Sequence, residues 1–312
     1  MSSVRLRVIR FAARLLIRRR DWGPPSVLVR RARRLFGVPR LYAGMRSFGV
    51  RTTAAGTPEP AGEWVLPVGP SHHTILYVHG GGYVSCSPVT HRPITATLAR
   101  LTPARVFALD YRLAPEHPYP AALEDVERAY QWLLASGVSA SSLVVAGDSA
   151  GGGLALALLL RLRDMREPLP SCAVLFSPWT DLTGSGPSVR ENDGWCTMFR
   201  PENFAAFAAC YAPQELWKEP LVSPLFGRVD GLPPFHIQVG AEELLRDDAV
   251  RLHERLRAAG VPNELVISEG VFHGWQMLDG VVPEARRSLE RATSFMRLMA
   301  EAPNEALQGT VD

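Results

Sequence analysis

The stretch SLVVAGDSAGGGLALALLLRLRD, residues 142–164, constrains this chain more than any other. A short apolar run, Leu143 to Ala146, stops at Gly147, and apolar residues resume at Leu154 for about two helical turns. That pattern reads as strand, tight turn and buried helix. Between strand and helix lies G-x-S-x-G, residues 147–151. The pattern is short and recurs by chance, but its place between a strand and a helix start is what a nucleophilic serine on a sharp turn requires. Flanking side chains would clash on such a turn, so glycines flank Ser149 one residue removed. Its hydroxyl is then pushed clear of the sheet, with the free N–H groups and positive end of a helix behind it. A glycine-rich helix start with no chemistry is the bland alternative. Nucleotide binding is disfavoured, because neither G-x-G-x-x-G nor G-K-[ST] is present.

The rest of the chain repeats the strand–helix rhythm. Residues 51–70 form an early strand region, TILYV reads as a strand, ARVFALDYRLAPEHPYP holds another before a Pro-rich loop, and CAVLFSP, PPFHIQVG and NELVISEG read as further strands. AALEDVERAYQWLLAS has helical spacing, as does DDAVRLHERLRAAG. Such alternation predicts an α/β class, with a mostly parallel sheet flanked by helices. Residues 184–222, rich in Trp, Phe, Pro and Asn, break the rhythm. An insertion there sits above the C-terminal strand ends, where open α/β sheets bind ligands.

His79-Gly80-Gly81-Gly82 follows strand TILYV. Backbone N–H groups aimed at a developing oxyanion contribute about 3–4 kcal/mol each, and glycine lets the backbone come close to a substrate. Gly81, Gly82 and Ala150 are the expected donors, with Gly80 and Asp148 in the supporting motifs and His79 bracing the loop by a hydrogen bond. A serine nucleophile needs a base and an orienting acid, in the chain order Ser, acid, His for a strand–turn–helix serine. Of the eight histidines only His236, His253 and His273 follow Ser149. His236 lies within a strand pattern and His253 mid-helix among charges. His273 sits in the loop SEGVFHGW after a strand, so it is the expected base. The acid should lie just past IQVG, where Glu242, Glu243, Asp247 and Asp248 are candidates. Glu243 is preferred over Asp247, which lies a helical turn further on and could cap the following helix.

These motifs together, HGGGYV (79–84), DYRLAPEHPYPAAL (110–123), GDSAGG (147–152), SPWTDLT (177–183) and FHGW (272–275), resemble the hormone-sensitive lipase family of microbial esterases over residues of about 70–300. The resemblance implies an α/β-hydrolase fold with an eight-stranded sheet and a helical cap, and carboxylester hydrolysis without a cofactor or metal. The family acid is often the first Asp of D-P-L-x-D; this chain has Glu243-Leu244-Leu245-Arg246-Asp247. Aligned with the family plan, residues 1–45 and 184–222 form the cap, 46–183 and 223–302 the catalytic core, and 303–312 a flexible tail. Tyr83, Trp195, Met198, Phe199, Phe204 and Phe207 would then line the substrate pocket. The implied partner is a small-molecule ester of short to medium acyl chain. A lipase on longer-chain lipid, or a non-catalytic ligand-binding member of the same fold, is the alternative.

Charge is unevenly spread. The net charge is +3, yet residues 1–40 hold twelve Arg, one Asp and no Lys or Glu. The remainder is net acidic, so a nucleic-acid-binding surface is not indicated. VRLRVIRFAARLLIRRR alternates Arg with apolar residues. Arg10 and Arg14 interrupt any secretory signal, and a membrane span needs about 20 apolar residues. Two readings survive: a helix packed over the chain's own site, which is favoured, or a helix lying on anionic lipid through residues 1–20. Four cysteines without CxxC or ligand spacing fit a reducing cytoplasm. A homodimer stays open.

Overall fold

A computed structural model describes residues 2–18, 22–102 and 104–301. The helices are α1 (Val4–Ala13), α2 (Pro25–Leu35), α3 (Arg40–Arg46), α4 (Arg92–Leu101), α5 (Ala121–Ala135), α6 (Ser149–Asp164), α7 (Ser188–Glu191), α8 (Pro201–Tyr211), α9 (Arg246–Ala258) and α10 (Pro283–Glu301). The strands are β1 (Val50–Ala55), β2 (Gly62–Pro67), β3 (His73–Val78), β4 (Ala104–Leu109), β5 (Leu143–Asp148), β6 (Cys172–Phe176), β7 (Phe235–Gly240) and β8 (Asn263–Ser268). They form one eight-stranded sheet in the order β1-β2-β4-β3-β5-β6-β7-β8. Only the β1–β2 and β2–β4 pairings are antiparallel. The parallel remainder is buried between two layers of helices, as helix-covered parallel sheets require. The fold is that of an α/β hydrolase.

Side-chain alternation splits the sheet between two cores. Ile75 and Tyr77 of β3 face a core shared with Ile94 and Leu98 of α4 and Leu289 and Phe295 of α10. Leu76 and Val78 face the other core, with α5, α6 and α9. Helix α6 is buried all round from Ser149 to Leu160, which matches its uniformly apolar sequence.

The strand order reverses direction at β3, which pairs with β4 on one side and β5 on the other. A crevice opens at such a switch point, beyond the carboxyl ends of the strands. The glycine loop after β3 and the G-x-S-x-G turn after β5 both meet there. Their closeness is enforced sterically: a Cβ on Gly151 would overlap the carbonyl oxygens of Val78 and His79. No other residue lets α6 start so close to the end of β3.

Helix α1 lies across the same end of the sheet. Its Leu6 is fully buried with Val271, Phe272 and Trp275. Ser3 caps the helix and binds Glu284 through its N–H (2.5 Å) and hydroxyl (2.9 Å). Arg10 pairs with Glu242, Arg14 donates to the Gly194 carbonyl, and Arg18 reaches Asp193 (2.6 Å) and the Phe199 carbonyl. The N-terminal segment therefore ties together the loop after β8, the loop after β7 and the 184–222 insertion.

Candidate active site

Ser149 begins α6 with φ of 52°. A non-glycine residue in that left-handed region carries about 1–3 kcal/mol of strain and persists only where its surroundings hold it. Here the Trp179 N–H donates to the Ser149 carbonyl at 2.9 Å, and the glycines at 147 and 151 permit the close approach. Ser149 lines a cavity of about 240 Å³ together with His273, Gly81 and Gly82. Ala150 is fully buried directly behind it.

The expected acid and the expected base meet. Glu243 Oε2 lies 2.6 Å from His273 Nδ1, so Nδ1–H donates and Nε2 is left as the basic atom of the ring. The other carboxylate oxygen accepts from the Ser177 hydroxyl and the Gly240 N–H, both at 2.7 Å. Three donors thus hold a carboxylate that is 2% exposed. No hydrogen bond joins Ser149 to His273 in this structure; catalytic contacts of this kind commonly close only around substrate. Asp247 lies elsewhere. It accepts from the Ser188 N–H at 2.7 Å and from Arg246 at 2.8 Å, tying α9 to α7. Asp248 accepts from the Thr180 and Asp181 N–H groups, and burial beside Asp181 pushes its carboxyl up to about 7. His236 is fully buried in β7 against Glu264 and Gln238, and His253 meets Asn263 at 2.5 Å. Neither lines the cavity.

The glycine loop rests on a buried polar cluster. Asp148 Oδ1 accepts from the Tyr77 hydroxyl (2.7 Å) and the Gly80 N–H (3.0 Å), and Oδ2 lies 3.3 Å from His91 Nε2. Burial alone would raise the Asp148 carboxyl; His91 and the Tyr77 hydroxyl outweigh it and hold the group below its ordinary value. His79 donates from Nδ1 to the Gly80 carbonyl at 2.7 Å and stacks on Tyr111 with ring centroids 4.3 Å apart. Burial, with His91 nearby, depresses its pKa to about 3. It therefore stays neutral and acts as a brace. Gly81 has φ of 119° and its carbonyl accepts from the Ser85 hydroxyl at 2.7 Å, which fixes the turn that carries the N–H groups of Gly81 and Gly82.

The apolar wall departs in part from expectation. Met198, Phe199, Phe204 and Phe207 line the cavity, but Tyr83 and Trp195 do not. Tyr83 is buried and stacks on Tyr211 with centroids 3.8 Å apart. Trp195 is 66% exposed, because the turn closed by the Asn192 carbonyl directs Cys196 inward and Trp195 outward. Instead Ile9, Ala13, Ile17, Leu35, Phe36 and Val38 complete the wall from the N-terminal segment. Ser177 and His91 were also not anticipated. Ser177 stands directly after a strand within SPWTDLT, a placement that could have pointed to it; an isolated His91 offers no such signal.

Comparison with known proteins supplies the family. A family model described as the α/β hydrolase fold matches residues 75–277. An acetyl-hydrolase of Streptomyces hygroscopicus is 42% identical over 235 residues, covering 75% of this chain and 79% of that protein. An esterase of Acinetobacter venetianus is 37% identical, covering 75% and 78%. The crystal structure of an esterase from the bacterial hormone-sensitive lipase family superposes with a TM-score of 0.85 at 36% identity, over 96% of this chain and 99% of that one. The chain belongs to the hormone-sensitive lipase family of α/β hydrolases. As a member of that family it is a carboxylic ester hydrolase. Another structure similar to this hydrolase, EstE5 soaked with p-nitrophenyl butyrate, has a TM-score of 0.86 at 35% identity, over 96% and 100% of the two chains. Among the described residues, no helix of the hydrolase is long and apolar enough to cross a membrane.

Proposed function

We propose that this hydrolase cleaves esters of short to medium acyl chains through a covalent acyl-enzyme on Ser149. His273 takes the serine proton as Oγ attacks the ester carbonyl, and later returns it to the departing alcohol. Glu243 orients the ring and stabilises the imidazolium. The N–H groups of Gly81, Gly82 and Ala150 receive the oxyanion. Water, deprotonated by His273, then releases the acid. The observation that carries this reading is the 2.6 Å Glu243–His273 contact in a ring that shares one cavity with Ser149 and the glycine loop. Residues 1–45 and 184–222 serve as the cap.

The acyl-chain preference rests on that cap. Ile9, Ala13 and Ile17 on one side and Phe199, Phe204 and Phe207 on another enclose the cavity with apolar side chains. An apolar pocket gains about 0.8 kcal/mol for each methylene it buries, until it is full. In a series of p-nitrophenyl esters from acetyl to palmitoyl, kcat/KM should rise to butyrate or hexanoate and fall beyond octanoate. A maximum at palmitate would refute the short-chain assignment.

The acid assignment has its own test. Glu243→Gln keeps the shape but removes the charge, and in a serine protease the comparable change costs about 10⁴ in kcat. Asp247→Asn should leave kcat within about threefold, since Asp247 ties α9 to α7 and does not touch His273. Reversed magnitudes in steady-state kinetics would move the acid to Asp247.

A further inference from the structure

We propose that the outer face of α1 docks this enzyme on an anionic bilayer surface, with α1 lying between the lipid and the Ser149 cavity. A helix that only covers a protein core has one apolar face. Helix α1 has two. Its inner face carries Leu6, fully buried, and Ile9 and Ala13, which line the cavity. Its outer face carries Val4, Val8 and Phe11, which are 66%, 63% and 67% exposed, with Leu15 following at 40%. Steps of four and three residues place Val4, Val8 and Phe11 on one stripe, and at 100° per residue that stripe lies nearly opposite the inner one. No described residue covers it. The fold does not need it either, because Leu6, the Ser3 cap and the Arg10–Glu242 pair already hold the helix. Beside the start of α1, across a cleft that Val4 and Arg46 both line, α3 adds exposed Leu41 and Met45, with Phe48 following.

Charge selects the occupant. On the helix wheel Arg5 flanks the outer stripe on one side and Arg7 and Arg14 on the other. Residues 1–40 carry twelve Arg against one Asp, whereas the rest of the chain is net negative. That asymmetry turns this face toward a negative surface. A second copy seated here would press two arginine-rich segments together. An anionic bilayer matches both the charge and the apolar stripe, and a helix of this length lies in the interface instead of crossing it. Because the opposite face of α1 walls the cavity, docking leaves one helix between the lipid and the cavity.

The full-length protein would be sedimented with vesicles of phosphatidylcholine alone and of phosphatidylcholine mixed with phosphatidylglycerol. Turnover of soluble p-nitrophenyl butyrate is measured in parallel, so that a failure of this proposal is distinguished from a failure of the proposed reaction. The protein should bind the anionic vesicles and release them in high salt. Val8→Glu combined with Phe11→Glu should weaken binding about tenfold or more, with soluble-ester turnover within about twofold of wild type. Arg5→Glu combined with Arg7→Glu should weaken binding to anionic vesicles as well. Three outcomes overturn the proposal: no sedimentation of the wild type with anionic vesicles, unchanged binding by Val8→Glu/Phe11→Glu, or a wild-type dimer in light scattering that this double variant dissociates, which would assign the face to a second copy.

Discussion

Ser149→Ala should lower kcat on p-nitrophenyl butyrate by about 10⁶ while leaving the thermal unfolding midpoint close to that of the wild type. The size of the loss comes from the role. In a serine protease, removing the attacking hydroxyl costs about 10⁶, and what survives is the background that oxyanion donors and substrate binding supply to water. The expectation for stability comes from the backbone. Ser149 sits at φ of 52°, a conformation that costs alanine no less than serine, but its side chain makes no hydrogen bond that the fold depends on. The glycines at 147 and 151, which allow the turn, remain. Steady-state kinetics with circular dichroism melting checks both halves. A variant retaining a tenth of wild-type activity would remove Ser149 from the reaction.

His273→Ala should cost a similar factor, about 10⁶ in kcat, and the double variant Ser149→Ala/His273→Ala should lose no more than either single one. Groups that act as one unit are not additive: once the serine cannot be deprotonated, its hydroxyl contributes little, and once the hydroxyl is gone the base has nothing to activate. Burial of the partner makes this variant less benign for the fold. Glu243 would keep its bonds from Ser177 and Gly240 but lose the third donor, leaving a carboxylate 2% exposed and less well satisfied. A partner lost from a buried charge costs several kcal/mol at most sites. His273→Gln, which can still donate a hydrogen bond, separates the two effects: it should regain stability but not activity. Multiplicative losses in the double variant would mean that the two residues serve separate steps.

How much of this was legible in the sequence follows from where each constraint lies. The Ser149 turn and the glycine loop are local: a strand end, a tight turn and a helix start are adjacent in the chain, so their residue types are visible as motifs. The parallel sheet was legible for the same reason, through alternation of short apolar runs and helical spacing. Glu243 was only half legible. Four carboxylates follow β7 within eight residues, and what separates them is direction. Gly240 ends the strand and the Glu243 carboxylate turns back to accept three hydrogen bonds, whereas Asp247 and Asp248 are already on the first turn of α9 and face α7 and the 180–181 backbone. Pocket lining was the least legible. Trp195 reads like an aromatic wall residue, but one turn of backbone points it to solvent. Ile9 and Ala13 reach the site from the far end of the chain, through tertiary packing that no local pattern records.

In the proposed reaction Ser149 forms a covalent bond to the acyl group. Treatment with a fluorophosphonate, followed by proteolysis and mass spectrometry of the peptides, measures it directly. One adduct per chain is expected, on Ser149, with loss of esterase activity in proportion to labelling. In Ser149→Ala no adduct should form at all. An unlabelled wild type that still hydrolyses the ester, or an adduct on Ser85 or Ser177 with Ser149 untouched, would contradict it.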